Sequence, residues 1–413
     1  MKSNFLREMS ERGYINQCTD LDNLDKLMSK KSLKAYIGFD CTASSLHVGS
    51  LMQIMILRLL QKHGHQPIVL FGGGTTLIGD PSGKDTTRKI IENRKIKENI
   101  SGIKKNFKKL LISKKKETKP IFVDNINWLG KLNYIKFLRE IGSHFTINKM
   151  ITFDSVKLRL DRQQSLSYME FNYMILQAYD FFQLNNKYKC ILQLGGSDQW
   201  GNIVNGVELI RRINKEISFG LTTPLITTAS GVKMGKTEKG AVWLDEKKLS
   251  PYDYWQFWRN TDDRDVIKFL KYFTDLSLEE ISKLEINEKN INNLKMILAN
   301  KATELLHGER KASDAENTAV KTFEQGGIGK NLPTIKIKKQ NIVSGIGILD
   351  LLSLTKIMSS KSEARRAIAN NGIKINDIIL SDVHKQINLS VFGENNFIKI
   401  SFGKKKHFLI KIY

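Results

Sequence analysis

The apolar residues in the first part of the chain predict strands and a helix that alternate. Residues 36–39 and 66–71 are largely apolar or aromatic, as buried strands are. Between them, residues 47–60 are rich in apolar side chains, and this pattern ends before Gly64. It predicts a mostly buried helix. Strand, helix and strand with short connections predict the start of a parallel α/β sheet. The apolar run 189–194 predicts a further buried strand.

The pattern changes in the rest of the chain. Residues 120–165 break the strand–helix rhythm and predict an insertion between two halves of the sheet, whose apolar residues serve a subunit interface or an internal core. Residues 251–325 have helical periodicity and predict a helical domain. Residues 326–345, rich in Gly, Lys and Asn, predict a linker. From Ile346 the pattern predicts a small basic α+β module.

Turn-forming residues follow the predicted strands, at the edge where parallel sheets bind ligands. The first turn leads into His47 and Gly49, at a helix start whose free N–H groups and imidazole suit a phosphate. The alternative is an ordinary connection with a chance histidine. Glycines also follow the next strands, at residues 72–76 and 195–202, and Asp198 stands where an acid can hold ribose hydroxyls.

The helix predicted over Ser167 to Leu184 carries three polar residues on one face. Tyr173, Gln177 and Asp180 follow at intervals of four and three residues, so they share a face of an otherwise apolar helix. Buried polar groups need partners. Either these side chains satisfy one another, or they bind a small polar ligand.

Two lysine-bearing segments add positive charge. Residues 78–84, followed by Arg88, join a carboxylate, a tight turn and two cations, which suits a zwitterionic or phosphate-bearing ligand or else marks a solvated turn. Residues 231–240 place Lys233 and Lys236 between glycines. Such a mobile loop stabilises charge on a transferring triphosphate, unless it is only an exposed basic loop.

The whole chain is strongly basic, with a net charge of +24 and a pI of about 9.7. This surplus indicates a polyanionic partner, most often nucleic acid, although a chain rich in Lys, Asn and Ile also gains charge by compositional drift. Residues 104–119 contain eight lysines and one glutamate, which indicates RNA contact or a solvated face. Residues 356–368 predict a basic helix that suits the phosphates of structured RNA.

Three scattered cysteines without a CxxC pair predict a reducing compartment and no zinc site. The N-terminus lacks the apolar segment of a signal peptide. The sequence also has no run of about 18 apolar residues, which a membrane span would need. We therefore expect a cytoplasmic protein without membrane contact.

Several ordered motifs resemble those of one enzyme family. His47-Val-Gly-Ser50 resembles the HIGH motif of class I aminoacyl-tRNA synthetases, and Lys233-Met-Gly-Lys-Thr237 resembles their KMSKS loop. The terminal module resembles an RNA-binding domain shared with a small-subunit ribosomal protein. Within this class, a further set of residues resembles the pattern of bacterial-type tyrosyl-tRNA synthetases. These residues are Tyr36, Asp80, Tyr173, Gln177, Asp180 and 195–202.

The resemblance covers essentially the whole chain and implies an α/β fold. It implies a Rossmann-like parallel-sheet catalytic domain with an inserted connective segment, then an α-helical domain and a small α+β RNA-binding domain. The expected bounds are 1–222 for the catalytic domain with its insertion at about 120–165, 223–250 for the mobile loop and connector, 251–325 for a helical domain on the anticodon side of tRNA, 326–345 for the linker and 346–413 for the RNA-binding domain.

The resemblance also implies a two-step reaction, in which tyrosine and ATP form tyrosyl-adenylate and the tyrosyl group then passes to the 3′-terminal ribose of tRNA(Tyr). It implies ATP with Mg²⁺ as substrate, a homodimer and no structural metal. It assigns phosphate and transition-state contacts to Thr42, His47, Ser50, Lys84, Arg88, Lys233, Lys236 and Thr237. It assigns tyrosine binding to Tyr36, Asp80, Tyr173, Gln177, Asp180 and Gln199. It assigns ATP binding to Gly38, Asp40, His47, Gly49, Gly196, Asp198 and Lys236, and tRNA binding to Lys356, Lys361, Arg365, Arg366 and Lys374.

Two residues depart from the family pattern. Ser50 replaces the second histidine of HIGH, which predicts a weaker contact there, and Cys41 replaces the usual proline of the preceding turn, which predicts a looser turn. Two alternatives stay open: another class I synthetase, above all the tryptophanyl one, and an RNA-binding splicing cofactor on the same scaffold.

Overall fold

The computed structural model describes residues 1–81, 91–231, 234–237, 240–323, 332–393, 396–403 and 406–413. At residues 154–155, 236–237 and 322–323 it describes the backbone alone. The chain divides into two compact units, the first formed by residues 1–248 and 261–294 and the second by residues 249–260 and 295–413.

A six-stranded sheet forms the centre of the first unit. Its strands are β1 (Gln17–Cys18), β2 (Lys34–Phe39), β3 (Gln66–Phe71), β4 (Ile121–Asp124), β5 (Leu192–Gly196) and β6 (Phe219–Thr223). Their spatial order is β1-β6-β5-β2-β3-β4, and all neighbours are parallel except β1, which is antiparallel to β6. The chain winds outward from β2 in both directions, so the switch point lies between β2 and β5. The predicted Rossmann-like parallel sheet is confirmed.

Helices cover the sheet because their apolar faces need burial. They are α1 (Asn4–Glu11), α2 (Leu21–Met28), α3 (Leu51–Lys62), α4 (Thr75–Ile78), α5 (Asn93–Leu110), α6 (Ile126–Leu129), α7 (Tyr134–Glu140), α8 (Ile147–Met150), α9 (Asp154–Asp161), α10 (Tyr168–Tyr188) and α11 (Trp200–Ile213). Short 3₁₀ turns occupy Val48–Ser50, Lys116–Thr118, Gly142–His144, Ser197–Gln199 and Asp263–Asp265. The helix expected from His47 therefore starts at Leu51, after one 3₁₀ turn.

Helix α10 is the long helix predicted from Ser167. Ser167 caps it with a reciprocal capping box to Glu170, and the helix ends where Lys189 takes a left-handed φ of 55°. Its apolar face packs on the sheet through Phe181 and Leu184, in a core that includes Tyr36. Two of the polar residues predicted on one face, Tyr173 and Asp180, are buried as well.

The insertion expected from about residue 120 begins later. Residues Ile121–Asp124 are β4, which pairs in parallel with β3 at the edge of the main sheet. The prediction of an insertion from 120 is wrong for these residues, because their pairing with β3 joins segments about fifty residues apart, and no local pattern reports it. The irregular segment starts with α6 and leads to α10.

A short β-ribbon and five helices follow the main sheet. The ribbon is β7 (Lys236–Thr237) with β8 (Gly240–Ala241), and the helices are α12 (Pro251–Arg259), α13 (Val266–Phe273), α14 (Leu278–Asn287), α15 (Ile291–His307) and α16 (Glu309–Phe323). The predicted helices are present. They are not one compact body, since α13 and α14 belong to the first unit, whereas α12 and α16 belong to the second.

The last part of the chain is a five-stranded sheet with helices. Its elements are β9 (Thr334–Ile337), α17 (Gln340–Val343), β10 (Ile346–Gly347), α18 (Ile348–Leu354), α19 (Lys361–Ala369), β11 (Ile373–Ile375), β12 (Ile378–Ile379), β13 (Gln386–Ile387), α20 (Leu389–Phe392), β14 (Phe397–Phe402) and β15 (Lys406–Ile412). The large sheet has the order β12-β11-β14-β15-β9, and β10 pairs with β13.

The predicted linker over 326–345 is wrong from residue 334 onward. Strand β9 pairs in parallel with β15, and Ile337 and Ile342 are buried in the core of the terminal module. The terminal module thus begins before Ile346. The helices in the described ranges include none that is long and apolar enough to cross a membrane.

Candidate active site

The carboxyl ends of the central strands bring the predicted site residues together. Phe39 at the end of β2 is in register with Phe71 at the end of β3, and Phe71 with Asp124 at the end of β4. On the other side of β2, Tyr36 is in register with Gln193 of β5. Because these neighbours are parallel, the turns that follow them open onto one edge of the sheet.

Tyr36 is buried below this edge with its hydroxyl unused. Its side chain is 1% exposed and its ring centroid lies 5.3 Å from that of Phe181. The Tyr36 Oη has no hydrogen-bond partner among the described residues. Burial, and next the charge of Asp180, raise the pKa of Tyr36 well above 10, so the group remains a neutral phenol. A buried phenol without a partner is costly unless a ligand supplies one.

Asp180 faces the same space from α10 and is held by two donors. Asn125 Nδ2 donates to its Oδ2 at 2.8 Å, and Trp128 Nε1 donates to its Oδ1 at 2.7 Å. The carboxyl is 2% exposed. Burial raises the pKa of Asp180 from 3.8 to about 7, against the two hydrogen bonds, which lower it. The carboxylate is therefore oriented before any ligand arrives.

Asn125 connects this carboxylate to the second glycine turn. Its Oδ1 accepts from Gly74 N at 2.7 Å, and its Nδ2 also donates to Thr75 Oγ1 at 2.9 Å. Asn125 is fully buried. Sequence reasoning missed Asn125 and Trp128, because both lie in the stretch assigned to the insertion; the only signal was their closeness to a short apolar run, residues 121–123.

A second polar group links Asp80, after α4, to the turn that follows β5. Gln199 Nε2 donates to Asp80 Oδ2 at 2.8 Å, and Asn202 Nδ2 donates to Gln199 Oε1 at 3.1 Å. Asp80 is 9% exposed and Tyr173 is 5% exposed. The structure therefore joins two of the predicted tyrosine-binding residues by a direct hydrogen bond.

Two glutamines add buried amide oxygens. The Oε1 atoms of Gln177 and Gln193 are buried and have no hydrogen-bond partner within the described part of the chain. Gln177 is a predicted residue, whereas Gln193 was missed. The sequence did hold a signal for Gln193, because it is the one polar side chain in an otherwise apolar strand that ends in a glycine turn.

The first glycine-containing motif is fixed by its own histidine. His47 Nδ1 accepts from Gly49 N at 3.0 Å, so a neutral ring carries its proton on Nε2. The segment pairs with the strand-like residues after the ribbon, since Val48 N donates to Val242 O at 2.8 Å and Leu244 N donates to Leu46 O at 2.9 Å. The imidazole is thus placed as a donor by the fold.

The two predicted catalytic motifs meet at a pair of glycines. A Cβ at Gly49 would lie 2.7 Å from the His47 ring and 2.9 Å from Met234 O. A Cβ at Gly235, where φ is +118°, would lie 2.8 Å from His47 Nδ1 and 3.0 Å from Gly49 N. Only residues without a side chain allow this approach. The chain therefore brings residues 47–49 and 234–235 into direct contact.

The remaining predicted residues differ in what can be said of them. Lys84, Arg88 and Lys233 lie outside the described residues, and the side chains of Lys236 and Thr237 in β7 are likewise not described. Gly38, Thr42 and Asp198 are exposed, and Asp40 and Ser50 are half-buried. Gly196 ends β5, where a Cβ would lie 2.6 Å from Asp198 Oδ1. Gly38 and Gly196 lie in the last residues of β2 and β5, and Asp40, Thr42 and Asp198 follow these strands directly.

The turn at Cys41 is held firmly. Its backbone N–H donates to Thr76 Oγ1 at 2.9 Å, and its carbonyl accepts from Asn99 Nδ2 at 2.8 Å. Cys41 is fully buried, and burial raises the pKa of its thiol to about 12. The expectation of a looser turn is not supported, because side chains from α4 and α5 replace the stiffness of a proline.

The predicted tRNA-binding cations are all exposed residues of the terminal module. Helix α19 is capped by Ser360 and carries Lys361, Arg365 and Arg366, all exposed. Lys361 also pairs with Asp350. Lys356 precedes the helix and Lys374 lies on β11, and both are exposed. Across the described ranges, His, Cys, Asp and Glu form no group of three or more that could hold a metal ion.

Two family models match the chain and together span most of it. The description "tRNA synthetases class I (W and Y)" matches residues 28–324, and "Tyrosine--tRNA ligase SYY-like C-terminal domain" matches residues 323–410. The first covers tryptophanyl and tyrosyl enzymes alike. The second favours the tyrosyl branch over the tryptophanyl alternative.

Named relatives match over nearly the full length. The chain is 62% identical to "Tyrosine--tRNA ligase" of Pelagibacter ubique, with 99% of each chain covered, and 53% identical to that of Rickettsia bellii, with 99% of this chain and 100% of the relative covered. A truncated Aspergillus nidulans mitochondrial tyrosyl-tRNA synthetase is 30% identical, with a TM-score of 0.70 over 77% of this chain and 94% of that chain. The chain belongs to the tyrosyl-tRNA synthetase family of class I aminoacyl-tRNA synthetases.

Proposed function

We propose that the pocket below the ends of β2 and β5 binds L-tyrosine and that the turns above it bind ATP. The chain is a tyrosine–tRNA ligase, which activates tyrosine as tyrosyl-adenylate with release of pyrophosphate and then charges tRNA(Tyr). Translation is the process that consumes this product, so we place the enzyme in the cytoplasm of its cell.

The buried Tyr36 hydroxyl without a partner carries the proposal for tyrosine. A substrate phenol between Tyr36 and Asp180 accepts one hydrogen bond and donates another, and so satisfies both groups. A ligand that lacks the hydroxyl leaves the buried Tyr36 hydroxyl without a partner and gives Asp180 no further donor. Tyrosyl enzymes are the standard example of this kind of selection. Asn125 and Trp128 keep the carboxylate in place for this exchange.

The second polar group suits the substrate ammonium. Asp80 supplies a carboxylate, and the free Oε1 atoms of Gln177 and Gln193 supply neutral acceptors. Tyr173 adds a hydroxyl on the same face of α10. An ammonium has three donors and no acceptor, so a wall rich in oxygen atoms binds it selectively.

The chemical step needs placement and charge stabilisation. The tyrosine carboxylate is already an anion, so it attacks the α-phosphate of ATP without a general base. The His47 Nε2–H donates to a phosphate oxygen, and Lys84, Arg88, Lys233, Lys236 and Thr237 stabilise the charge that develops in the transition state. Thr42 and Ser50 flank the phosphates. Gly38, Asp40, Gly49, Gly196 and Asp198 line the nucleoside side, and Mg²⁺ arrives on the triphosphate as part of the substrate.

The exposed cations of the terminal module suit tRNA phosphates. Lys356, Lys361, Arg365, Arg366 and Lys374 present positive charge from one helix and its flanks. Exposed cations bind a polyanion through release of its counterions, so this contact fixes the position of the tRNA and not the choice of amino acid.

The segment between α6 and α10 suits a second copy of the chain. This segment and the first residue of α10 expose large apolar side chains, namely Tyr134, Ile135, Ile147, Leu158, Leu160 and Tyr168, which are 49% to 70% exposed. Single chains seldom leave so many apolar groups in water along one segment. We therefore propose a homodimer through this segment, which light scattering of the purified protein tests by its mass.

Amino-acid-dependent pyrophosphate exchange tests the proposed function. Exchange should occur with tyrosine and stay at background with tryptophan and phenylalanine. Exchange with tryptophan but not tyrosine would overturn the assignment of the pocket, and no exchange with any amino acid would favour a role in RNA binding alone.

A further inference from the structure

The segment that leads to the lysine loop is anchored by a buried carboxylate outside the active site. Asp265 Oδ2 accepts from Ala229 N at 2.6 Å, and the Asp265 side chain is only 3% exposed. Lys268 Nζ lies 2.7 Å from Asp265 Oδ1 and donates to Thr227 O at 3.1 Å. One carboxylate and one ammonium thus bind two backbone groups of residues 227–229.

Asp265 is the last residue of the 3₁₀ turn Asp263–Asp265 and directly precedes α13. Asp262 caps this turn, because its Oδ1 accepts from Arg264 N at 3.0 Å. Asp265 makes no capping bond of its own. Its carboxylate is therefore available to Ala229 and Lys268.

The anchored residues lie at the base of the segment that reaches His47. Met234 N donates to Ile226 O at 2.9 Å, so the residue before the anchored ones is bonded directly to the residue before Gly235. Gly235 follows directly and contacts His47 and Gly49. A shift at Ala229 therefore moves Gly235 relative to the histidine that we place on the phosphate.

Helix α13 also supports the other catalytic motif. Its buried residues Val266, Phe269, Leu270 and Phe273 form an apolar face, and α13 packs against α3, which begins immediately after Ser50. One helix thus contacts α3, just behind the first motif, by packing and holds the segment before the second motif by hydrogen bonds. Helix α13 thus adds a second, indirect link between the two motifs to their direct contact.

We propose that Asp265, with Lys268, is a positioning residue for tyrosyl-adenylate formation. It touches no substrate; it fixes residues 227–229 so that the lysine loop stands against His47. Donors aimed at developing charge lose their effect when they are displaced by a fraction of an ångström. The inference rests on the proposed function, because it gives the loop lysines their role at the triphosphate.

Asp265→Asn and Lys268→Met test this placement. Each should lower the single-turnover rate constant of adenylate formation by about tenfold at saturating tyrosine and ATP, with the tyrosine Kd unchanged within about twofold. Loss of general structure would instead alter both values. Lys268 is 37% exposed, so Lys268→Met should disturb the fold less than a change at the buried Asp265. It therefore removes part of the same anchor even if Asp265→Asn folds poorly.

Two controls separate the possible outcomes. Asp262→Asn removes an exposed carboxylate of the same turn and should leave the rate unchanged. When Asp265→Asn is added to the Lys236→Ala variant, it should slow adenylate formation by less than about a further twofold. The two substitutions are not independent, because both act through the same loop. The inference, but not the proposed function, would be overturned by wild-type rates in Asp265→Asn and Lys268→Met. It would also be overturned if the rate losses of Asp265→Asn and Lys236→Ala multiplied fully in the double variant. A wild-type rate in Lys236→Ala itself would overturn the proposed role of the loop.

Discussion

The tyrosine pocket and the basic surface of the terminal module use polar groups in opposite ways. In the pocket, Asp180 is 2% exposed, both of its oxygens are bonded to buried donors, and its pKa is raised to about 7. On the surface, Arg365 and Arg366 stand in water on α19. Buried, fixed groups distinguish one small ligand from its analogues. Exposed cations bind any phosphate chain, and their binding weakens as the salt concentration rises.

Asp180→Ala should have the largest effect. It removes the acceptor of the substrate phenol and leaves the Asn125 and Trp128 donors without their partner. Loss of one partner of a buried, charged hydrogen bond costs about 4 kcal/mol, which corresponds to about 1000-fold in kcat/KM for tyrosine-dependent pyrophosphate exchange. Near-normal exchange would contradict the assignment of Asp180.

Removal of the terminal module near Gly326 should affect only the second step. The truncated chain should form tyrosyl-adenylate at a rate within about twofold of the intact enzyme, while aminoacylation of tRNA(Tyr) falls by about 100-fold or more, because the phosphate contacts are lost. Active-site titration and a charging assay on the same preparation measure the two steps. Unchanged charging would place tRNA binding elsewhere.

A double substitution gives the graded form of this experiment. Arg365→Gln with Arg366→Gln should weaken tRNA binding and lower the slope of log K against log salt by about 1 to 2. Lys30→Gln with Lys31→Gln removes two exposed cations of the first unit and serves as the matched control. Equal slopes for the two variants would show that the charge of the whole chain matters and the place of the cations does not.

Asn125→Ala should have an intermediate effect on tyrosine alone. The carboxylate loses a donor at 2.8 Å, and the turn at Gly74 loses its acceptor at 2.7 Å. We expect KM for tyrosine to rise by about tenfold, since one hydrogen bond to a charged group is worth about 1.5 kcal/mol, with KM for ATP unchanged within about twofold. Asn260→Ala removes an exposed amide and is the control. A parallel rise in both KM values would indicate a general loosening of the site.

Near pH 7 the pH dependence of Asp180 should be the smallest effect, and it has two signs. The phenol needs the ionised carboxylate, so tyrosine affinity should fall by up to about tenfold per unit as the pH drops below about 7. Stability should change the other way: a pKa raised from 3.8 to about 7 favours the folded state below pH 4, and this contribution is lost as the pH rises through 7. Calorimetric titration and urea unfolding between pH 5 and 8 measure both, and Asp180→Asn should remove both dependences.

Local periodicity explains which parts of the site were predictable. Tyr173, Gln177 and Asp180 are spaced for one face of a helix, and the helix exists, so their grouping followed from the sequence alone. Asn125 and Trp128 reach Asp180 only because β4 pairs with β3, and pairing between distant segments leaves no mark in either. Strand β9 escaped for the same reason, since its partner β15 lies about seventy residues further along.

The contact between Gly49 and Gly235 has a consequence for how the loop can move. Neither glycine has a side chain that interlocks with the other segment, and the described neighbours there are backbone atoms and one histidine ring. A contact between two glycines involves few atoms and so adds little attraction. The hydrogen bonds between residues 46–48 and 242–244 hold the two segments together, so residues 234–235 can move away from the first motif at a smaller cost than residues 242–244.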